Sequence, residues 1–221
     1  HYVQSLAPEG TEEKVRLVSK PLQAGRVREK LSSEPSAQLW AQVTPTFIAV
    51  TPLWWRDDRV TGVDLQMAHD GERLAVRLSW EDPTPDQSLA KTESFSDGIA
   101  VQFSEEKNPP FFGMGDSHAE VDIWHWKAAW QKDQVGREDV DTVYPGMAVE
   151  YYPEEGPTFL TGQGSGNPVS DPRRSTPAEN LHAKGQGTLT NRPQAVQQVQ
   201  GGAKREGNRW SVVLMRSLKA Q

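Results

Sequence analysis

The chain has 221 residues, 35% of them hydrophobic, and its 30 acidic and 24 basic side chains give a formal net charge of -6. This length suffices for one sizeable β domain, and without a basic cluster or a long apolar run the sequence predicts neither nucleic-acid binding nor a membrane span. The chain contains no cysteine, which excludes disulfides, iron–sulfur clusters and thiolate-ligated metal centres.

Residues 1–39 are polar and are interrupted by proline and glycine, and only residues 15–18 resemble a strand. We interpret this segment as an arm that packs on the domain or on a partner protein. From Trp40 onward the sequence becomes rich in strand-like patterns. We therefore predict that residues 40–221 form one all-β domain, a β-sandwich with long loops and few short helices.

The clearest local signal is a β-hairpin that follows a short β-branched run at Thr46–Val50. Two alternating apolar runs flank Asp70-Gly71, namely Val63, Leu65 and Met67 before it and Leu74, Val76, Leu78 and Trp80 after it. An Asp-Gly pair supplies the positive φ angles that a tight turn between twisted strands needs. The pattern predicts two antiparallel strands joined at this turn.

Residues 97–127 contain two further strand-like runs, Ile99–Phe103 and Val121–Trp126, separated by an unusual loop. The loop carries Pro109-Pro110, Phe111, Phe112 and the triplet Gly113-Met114-Gly115. One interpretation is that the phenylalanines and Met114 form a small satellite core, since methionine commonly fills gaps. The other is that glycine and proline shape the backbone so that Met114 presents its sulfur to a metal or cofactor.

Alternation along the second run separates two faces of the strand: Val121, Ile123 and His125 on one, and Asp122, Trp124 and Trp126 on the other. The tryptophans are expected either in the sandwich core or along a cofactor pocket. His125 and His118 are possible iron ligands, because imidazole is the commonest metal ligand. A lone histidine is more often a hydrogen-bonded structural residue.

Residues 128–193 are rich in loops and include the pair Arg173-Arg174, which could stay solvated or neutralise carboxylates of a cofactor. Ala195–Lys204 and Arg209–Leu218 predict a second hairpin, turning at Glu206-Gly207-Asn208, with Trp210, Val212 and Leu214 on one face. No GxSxG, HExxH, CxxC or P-loop motif is present. The sequence thus lacks the recognisable motifs of a catalyst.

Three stretches together carry a family resemblance: DGIAVQF at 97–103, PPFFGMGD at 109–116 and VDIWHWKAAW at 121–130. They resemble the haem b (gamma) subunit of the type II dimethyl sulfoxide reductase family, the periplasmic molybdenum enzymes acting on ethylbenzene, dimethyl sulfide, chlorate or selenate. The resemblance extends from about Trp40 to the end of the chain. It implies an all-β, DOMON-like sandwich related to the cytochrome domain of cellobiose dehydrogenase.

The resemblance also implies a function: one b-type haem, held non-covalently with methionine and lysine as axial ligands, in a subunit that is not itself catalytic. Met114 stands at the position of the ligand methionine. The lysine is expected near the C-terminal strand pair, which points to Lys204 in VQGGAKREG, with Lys184 as second choice. Phe112, Trp124 and Trp126 are expected to line the haem pocket.

The same resemblance implies partners and a location. The chain is expected to join an iron–sulfur (beta) subunit and a molybdopterin (alpha) subunit in a heterotrimer, and to exchange electrons with a soluble carrier such as a c-type cytochrome. It is expected in the periplasm, as a mature chain after removal of a signal peptide.

Two alternatives from other classes stay open at this stage. A β-sandwich carbohydrate- or ligand-binding module would use exposed tryptophans, among them Trp54, Trp55, Trp124 and Trp126, as stacking platforms. A haem-free scaffold subunit would fill the pocket around Met114 with side chains. An absorption spectrum of the purified protein separates both from the haem subunit.

Overall fold

The protein is an all-β sandwich in a computed structural model that describes residues 22–52, 54, 57, 59–104, 113–136, 138, 140–146 and 174–219. The strands of the first sheet are β1 (Gly25–Arg26), β2 (Thr46–Ala49), β3 (Gly62–His69), β4 (Arg73–Glu81), β9 (Gln200–Glu206) and β10 (Arg209–Ser217). The strands of the second sheet are β5 (Gly98–Ser104), β6 (Val121–Lys127), β7 (Ala178–Ala183) and β8 (Thr190–Asn191). The predicted fold class is confirmed.

The first sheet has the order β1-β3-β4-β10-β9, with β2 also paired to β3, and the second has the order β5-β6-β7-β8. All pairs are antiparallel except β1 with β3. The helical elements among the described residues are short: α1 (Ala128–Asp133), α2 (Val140–Val143) and 3-10 turns at Gln38–Gln42 and Gln194–Val196. In the part of the chain that the structure describes, no helix is long and apolar enough to cross a membrane.

Both predicted hairpins are confirmed. In the first, β3 and β4 pair across Gly71, whose φ is +97°, and the carboxylate of Asp70 accepts the amide N–H groups of Glu72 and Arg73 at 2.9 and 2.8 Å. In the second, β9 and β10 pair across Gly207, although β9 begins at Gln200 rather than near Ala195. Side-chain hydrogen bonding and left-handed glycines therefore set both turns locally.

The main core lies between the two sheets and follows the alternation of the strands. Its larger buried side chains are Val76, Leu78, Trp80, Trp124, Trp126, Trp210, Val212 and Leu214. The face of β6 that carries Trp124 and Trp126 is therefore the inner face. This outcome agrees with the core interpretation of the two tryptophans.

The described part of the N-terminal segment covers the outer face of the first sheet. Leu31, Leu39 and Trp40 are buried there against Ala68, Ala75, Val213 and Met215. The amide of Leu31 donates to Asp70 at 3.1 Å, and the side-chain amide of Gln66 donates to the carbonyls of Trp40 and Val43. Residues 22–43 thus pack on the domain, while the division at residue 39 stays a prediction.

Strand β7 was not predicted. Its sequence, AENLHA, contains no β-branched residue, and five of its six residues are buried, including the polar Glu179 and Asn180. A strand buried on both faces loses the period-2 alternation by which a half-buried strand is recognised.

Candidate functional site

The candidate site centres on Met114, which is held by a tight turn just before β6. Gly113 and Gly115 have φ angles of +103° and +76°, and a Cβ on Gly115 would lie 2.4 Å from the carbonyl oxygen of Ala119. One carboxylate oxygen of Asp116 accepts the amides of His118 and Ala119 at 2.7 and 2.8 Å, and these bonds lower the pKa of Asp116. Only glycine fits position 115, so the backbone that presents Met114 has little freedom.

Met114 itself packs against the outer face of the second sheet. Its side chain contacts a small apolar cluster there, formed by Val121, Ile123, Leu181 and Ala183. The loop is fastened to β5 by a 3.2 Å hydrogen bond from the Gln102 side chain to the carbonyl of Gly113. This cluster, which we call the outer cluster, places a thioether beside a dry apolar surface.

Lys184 lies in a second turn, which follows a different strand and adjoins the turn of Met114. It follows β7 directly, its amide donates to the Thr188 hydroxyl at 2.7 Å, and the next amide, of Gly185, donates to the carbonyl oxygen of Met114 at 2.8 Å. The two turns are therefore joined by a backbone hydrogen bond. The structure thus brings the backbones of the two turns together, whereas the side chain of Lys184 binds Glu120, which lines the cavity between the sheets, on the face of the second sheet opposite Met114.

Lys204 lies elsewhere. It is on β9 opposite Ser211, and its neighbour Ala203 packs toward the main core, so Lys204 points to the outer face of the first sheet. Met114 packs on the outer face of the other sheet, with the core between them. Lys204 is paired with Glu206 at 2.7 Å, and this hydrogen bond and charge raise its pKa, which disfavours the neutral amine that a metal ligand must supply. The structure does not bring Lys204 and Met114 into one site.

The two tryptophans proposed for the pocket lie on the opposite side of β6 from the outer cluster. Trp126 is fully buried, in edge contact with Trp80 and Trp210 at centroid distances of 6.2 and 5.1 Å. Trp124 is 4% exposed and donates to Asp122 at 3.0 Å. Neither can act as a stacking platform for a sugar in this state, whereas Trp54 is 81% exposed. Phe112, Trp55 and Arg173 lie outside the described residues.

A charged group that the sequence did not reveal adjoins Lys184. Glu120 binds His182 at 2.8 Å, Lys184 at 3.2 Å and Arg192 at 3.2 Å. Burial raises the pKa of Glu120, but the hydrogen bond and charge of Lys184, with the charges of His182 and Arg192, outweigh burial and lower it. These residues are scattered over seventy positions and meet only through the pairing of β6 with β7, so no local motif marks them.

A cavity of about 520 Å³ opens beside this group, between the two sheets. Its lining combines apolar side chains, including Leu74, Phe103 and Trp124, with Glu120, Arg192 and Arg216. Below it, Asp122 accepts from Arg216 at 2.7 Å, Asn180 at 2.8 Å and Arg192 at 3.3 Å. This cavity therefore has a polar wall and an apolar one, and Met114 is not among the residues that line it.

The histidines considered as ligands take other contacts. His125 shares the carboxylate of Glu179 with Lys127, at 2.9 and 2.7 Å, as expected of a hydrogen-bonded structural residue. The side chain of His118 is 93% exposed beside the Ser117 hydroxyl. Arg174 stacks on Trp130, with its guanidinium carbon 3.6 Å from the ring centroid. Among the described residues no group of three or more acidic or histidine side chains is arranged to hold a bare metal ion.

Known proteins resemble this chain over most of its length. Residues 37–221 match the model of the ethylbenzene dehydrogenase family. Similar proteins include the dimethylsulfide dehydrogenase gamma subunit of Rhodovulum sulfidophilum, 43% identical over 63 residues, covering 28% of this chain and 23% of the relative. The chlorate reductase gamma subunit of Ideonella dechloratans is 26% identical over 199 residues, 86% of this chain and 62% of the relative.

A putative respiratory nitrate reductase haem subunit of Haloferax mediterranei is 29% identical over 131 residues, which cover 55% of this chain and 47% of the relative. The chain spans less than two thirds of the length of each of these three relatives.

Proposed function

The chain belongs to the ethylbenzene dehydrogenase family, and on this basis we propose that it is a haem-carrying electron-transfer subunit and not a catalyst in its own right. The predicted resemblance to the gamma subunits of type II dimethyl sulfoxide reductases is confirmed, since relatives from dimethylsulfide dehydrogenase and chlorate reductase carry that designation. The name of a third relative includes a haem. Electron transfer needs no nucleophile or general base, in keeping with the absence of catalytic motifs.

The observation that carries the proposal is the family match over residues 37–221, and the 2.8 Å bond between Gly185 and Met114 adds that the backbones of the Met114 and Lys184 turns adjoin. A six-coordinate haem needs two axial ligands, and a thioether and an amine are both competent donors to iron. When bound, the haem would accept and release one electron at a time. Because the chain has no cysteine, it would be held non-covalently, as in a b-type cytochrome.

The side chains present fit a haem. Met114 packs against the outer cluster, so its thioether already lies in apolar surroundings. The side chain of Lys184 is 57% exposed, so it has room to reorient toward an iron atom. If Lys184 leaves Glu120, the carboxylate keeps Arg192 at 3.2 Å, so the move does not strand a charge. As a ligand the lysine would be neutral, which proximity to the metal charge favours.

We extend the proposal to partners by analogy with the relatives. Two of them are named as gamma subunits, which supports assembly with other subunits. We propose an iron–sulfur subunit as the internal electron partner, a molybdopterin subunit as the catalytic one, and a c-type cytochrome as the external carrier, in the periplasm. Co-purification of the three subunits from a periplasmic extract tests this part.

The test of the site is an optical spectrum of the purified chain, oxidised and then reduced with dithionite, together with a pyridine haemochrome assay. We expect a low-spin b-type spectrum. Met114→Ala and Lys184→Ala should each lose haem or convert it to a high-spin form, while circular dichroism stays that of a β protein because both residues lie in turns.

Lys204→Ala is the matched control. It removes one positive charge, as Lys184→Ala does, but from the other sheet of the sandwich. Its spectrum should equal that of the parent protein. Loss of haem in Lys204→Ala, with an unchanged Lys184→Ala protein, would return the assignment to Lys204. Unchanged spectra in both lysine variants would reject Lys184 and Lys204 as ligands, and a parent chain that stays colourless when offered haemin would favour a haem-free role.

A further inference from the structure

Three buried indole rings form a continuous cluster in the main core. Trp80, Trp126 and Trp210 are 5%, 0% and 2% exposed. Their centroids are 6.2 Å apart for Trp80 and Trp126, 5.1 Å for Trp126 and Trp210, and 6.4 Å for Trp80 and Trp210. Such a cluster is first of all a core. Tryptophan is also among the side chains most easily oxidised by one electron. At these distances an electron can pass from one ring to the next, so the oxidised position can move through the cluster.

What distinguishes Trp210 is the partner of its indole N–H, which donates to the carboxylate of Asp97 at 3.1 Å. The same carboxylate oxygen accepts the amide of Asp86 at 3.0 Å. Burial, and next the negative charge of Asp82, raise the pKa of Asp97 to about 6, while the bond from Trp210 lowers it in part. Asp97 is therefore a more basic carboxylate than an ordinary aspartate.

The indole groups of Trp124 and Trp126 have different acceptors. Trp124 donates to Asp122, whose carboxylate is already bound by Arg216 and Arg192 at 2.7 and 3.3 Å. Trp126 donates to the side-chain amide oxygen of Gln131 at 3.4 Å. An amide oxygen takes up a proton far less readily than a carboxylate.

We propose that Trp210 and Asp97 form a proton-coupled oxidation site, at which an oxidising equivalent entering the tryptophan cluster is trapped on Trp210 as its indole proton passes to Asp97. A strong one-electron oxidant, such as one derived from peroxide, removes one electron from the indole of Trp210. The resulting indole cation is a strong acid, and its N–H bond breaks as the proton forms an O–H bond on Asp97. Return of one electron from an external reductant restores the N–H bond and the carboxylate.

The geometry meets the requirement for such a transfer, because donor and acceptor are already hydrogen bonded. Its role would be to hold an oxidising equivalent on Trp210 as a neutral radical until a reductant returns the electron. The inference does not depend on the presence of a haem, and it would stand if the proposed haem ligands were wrong.

The test is photo-oxidation of the full chain by a flash-generated ruthenium(III) polypyridyl complex, followed by transient absorption and electron paramagnetic resonance. All proteins carry Trp54→Phe, because the exposed indole of Trp54 would otherwise be oxidised directly. We expect a neutral indolyl radical whose formation slows in D₂O. Asp97→Asn, which keeps the shape but accepts no proton, should leave a cation radical and remove the isotope effect.

Trp210→Phe should abolish the neutral radical. Trp40→Phe is its control, since it also removes a buried indole, one that donates to the backbone carbonyl of Glu34 at 3.3 Å. A neutral radical that persists in Trp210→Phe, or forms in Asp97→Asn at the parent rate and with the parent isotope effect, would overturn the proposal. If Trp210→Phe fails to fold, Asp97→Asn alone decides.

Discussion

The buried carboxylate of Glu179 holds together one end of the second sheet, and its replacement by glutamine should destabilise the protein strongly. The side chain is 4% exposed, accepts from His125 at 2.9 Å and Lys127 at 2.7 Å, and binds the Asn191 amide at 2.8 Å. Burial raises the pKa of Glu179, but the hydrogen bonds from His125 and Lys127 and the charge of Lys127 outweigh it and lower the pKa from 4.5 to about 2.

The size of the effect follows from linkage. A pKa lowered from 4.5 to about 2 corresponds to about 3 kcal/mol of stabilisation at neutral pH, since one pKa unit is worth about 1.4 kcal/mol. Because the folded-state pKa is depressed, this stabilisation is fully present above pH 4.5 and is lost as pH falls toward 2. Glu179→Gln should therefore lower the free energy of unfolding by about 3 kcal/mol at pH 7, and the difference from the parent should shrink below pH 4.5.

Urea unfolding followed by tryptophan fluorescence, at pH 7 and at steps below pH 4.5, measures this difference directly. Glu206→Gln is the control, because its carboxylate pairs with Lys204 at 2.7 Å while its side chain is 73% exposed, and we expect little change. Equal stability of Glu179→Gln and the parent at pH 7, or a difference that does not depend on pH, would refute the reasoning.

Four further substitutions have defined outcomes. Asp97→Asn should stabilise the protein by about 1 kcal/mol at pH 7, allowing for solvent screening. The raised pKa of Asp97, about 6 against 3.8, means that the fold favours its protonated form, so the gain should vanish as pH falls from 6 to 3.8 in the same urea assay. Gly115→Ala should cost about 2 kcal/mol or more and lower haem content, because its φ is +76° and its Cβ would meet the carbonyl of Ala119. Gly113→Ala, with φ +103° but open space around it, should cost only about 1 kcal/mol, and equal losses would contradict the steric argument. Trp126→Ala should cost about 3–5 kcal/mol in thermal or urea unfolding, as for a fully buried aromatic side chain, and a loss below about 1 kcal/mol would show that the core can collapse around the cavity.

Several features could be predicted because they are encoded in neighbouring residues. Alternation around Asp70-Gly71 predicted the hairpin of β3 and β4, and alternation in β6 separated the core face of Trp126 from the outer face of Ile123 correctly. Glycines on both sides of Met114 indicated an unusual backbone, and both have positive φ angles. Period, turn chemistry and left-handed glycines act over a few residues, so a sequence displays them directly.

Two features could not be predicted from neighbouring residues: strand β7, and the positions of Lys184 and Lys204 relative to Met114. Strand β7 carries a buried Glu179 and Asn180, whose partners come from β6, β8 and β10. Without those partners a polar, non-branched run does not indicate a strand. Lys204 and Lys184 are similarly placed in the sequence, each just before a turn. Nothing local to either distinguishes a ligand from a surface charge.

The sequence by itself determined the fold class, both hairpins, the two faces of β6 and the glycine-shaped backbone around Met114. Only the tertiary structure brought the backbone at Gly185 next to Met114, because β7 pairs with β6, while β9 and Lys204 lie in the other sheet. It also assembled Glu120 with Arg192, and Trp210 with Asp97, from distant positions. Strand pairing and sheet stacking join residues far apart in the chain, and that joining is a property of the whole fold.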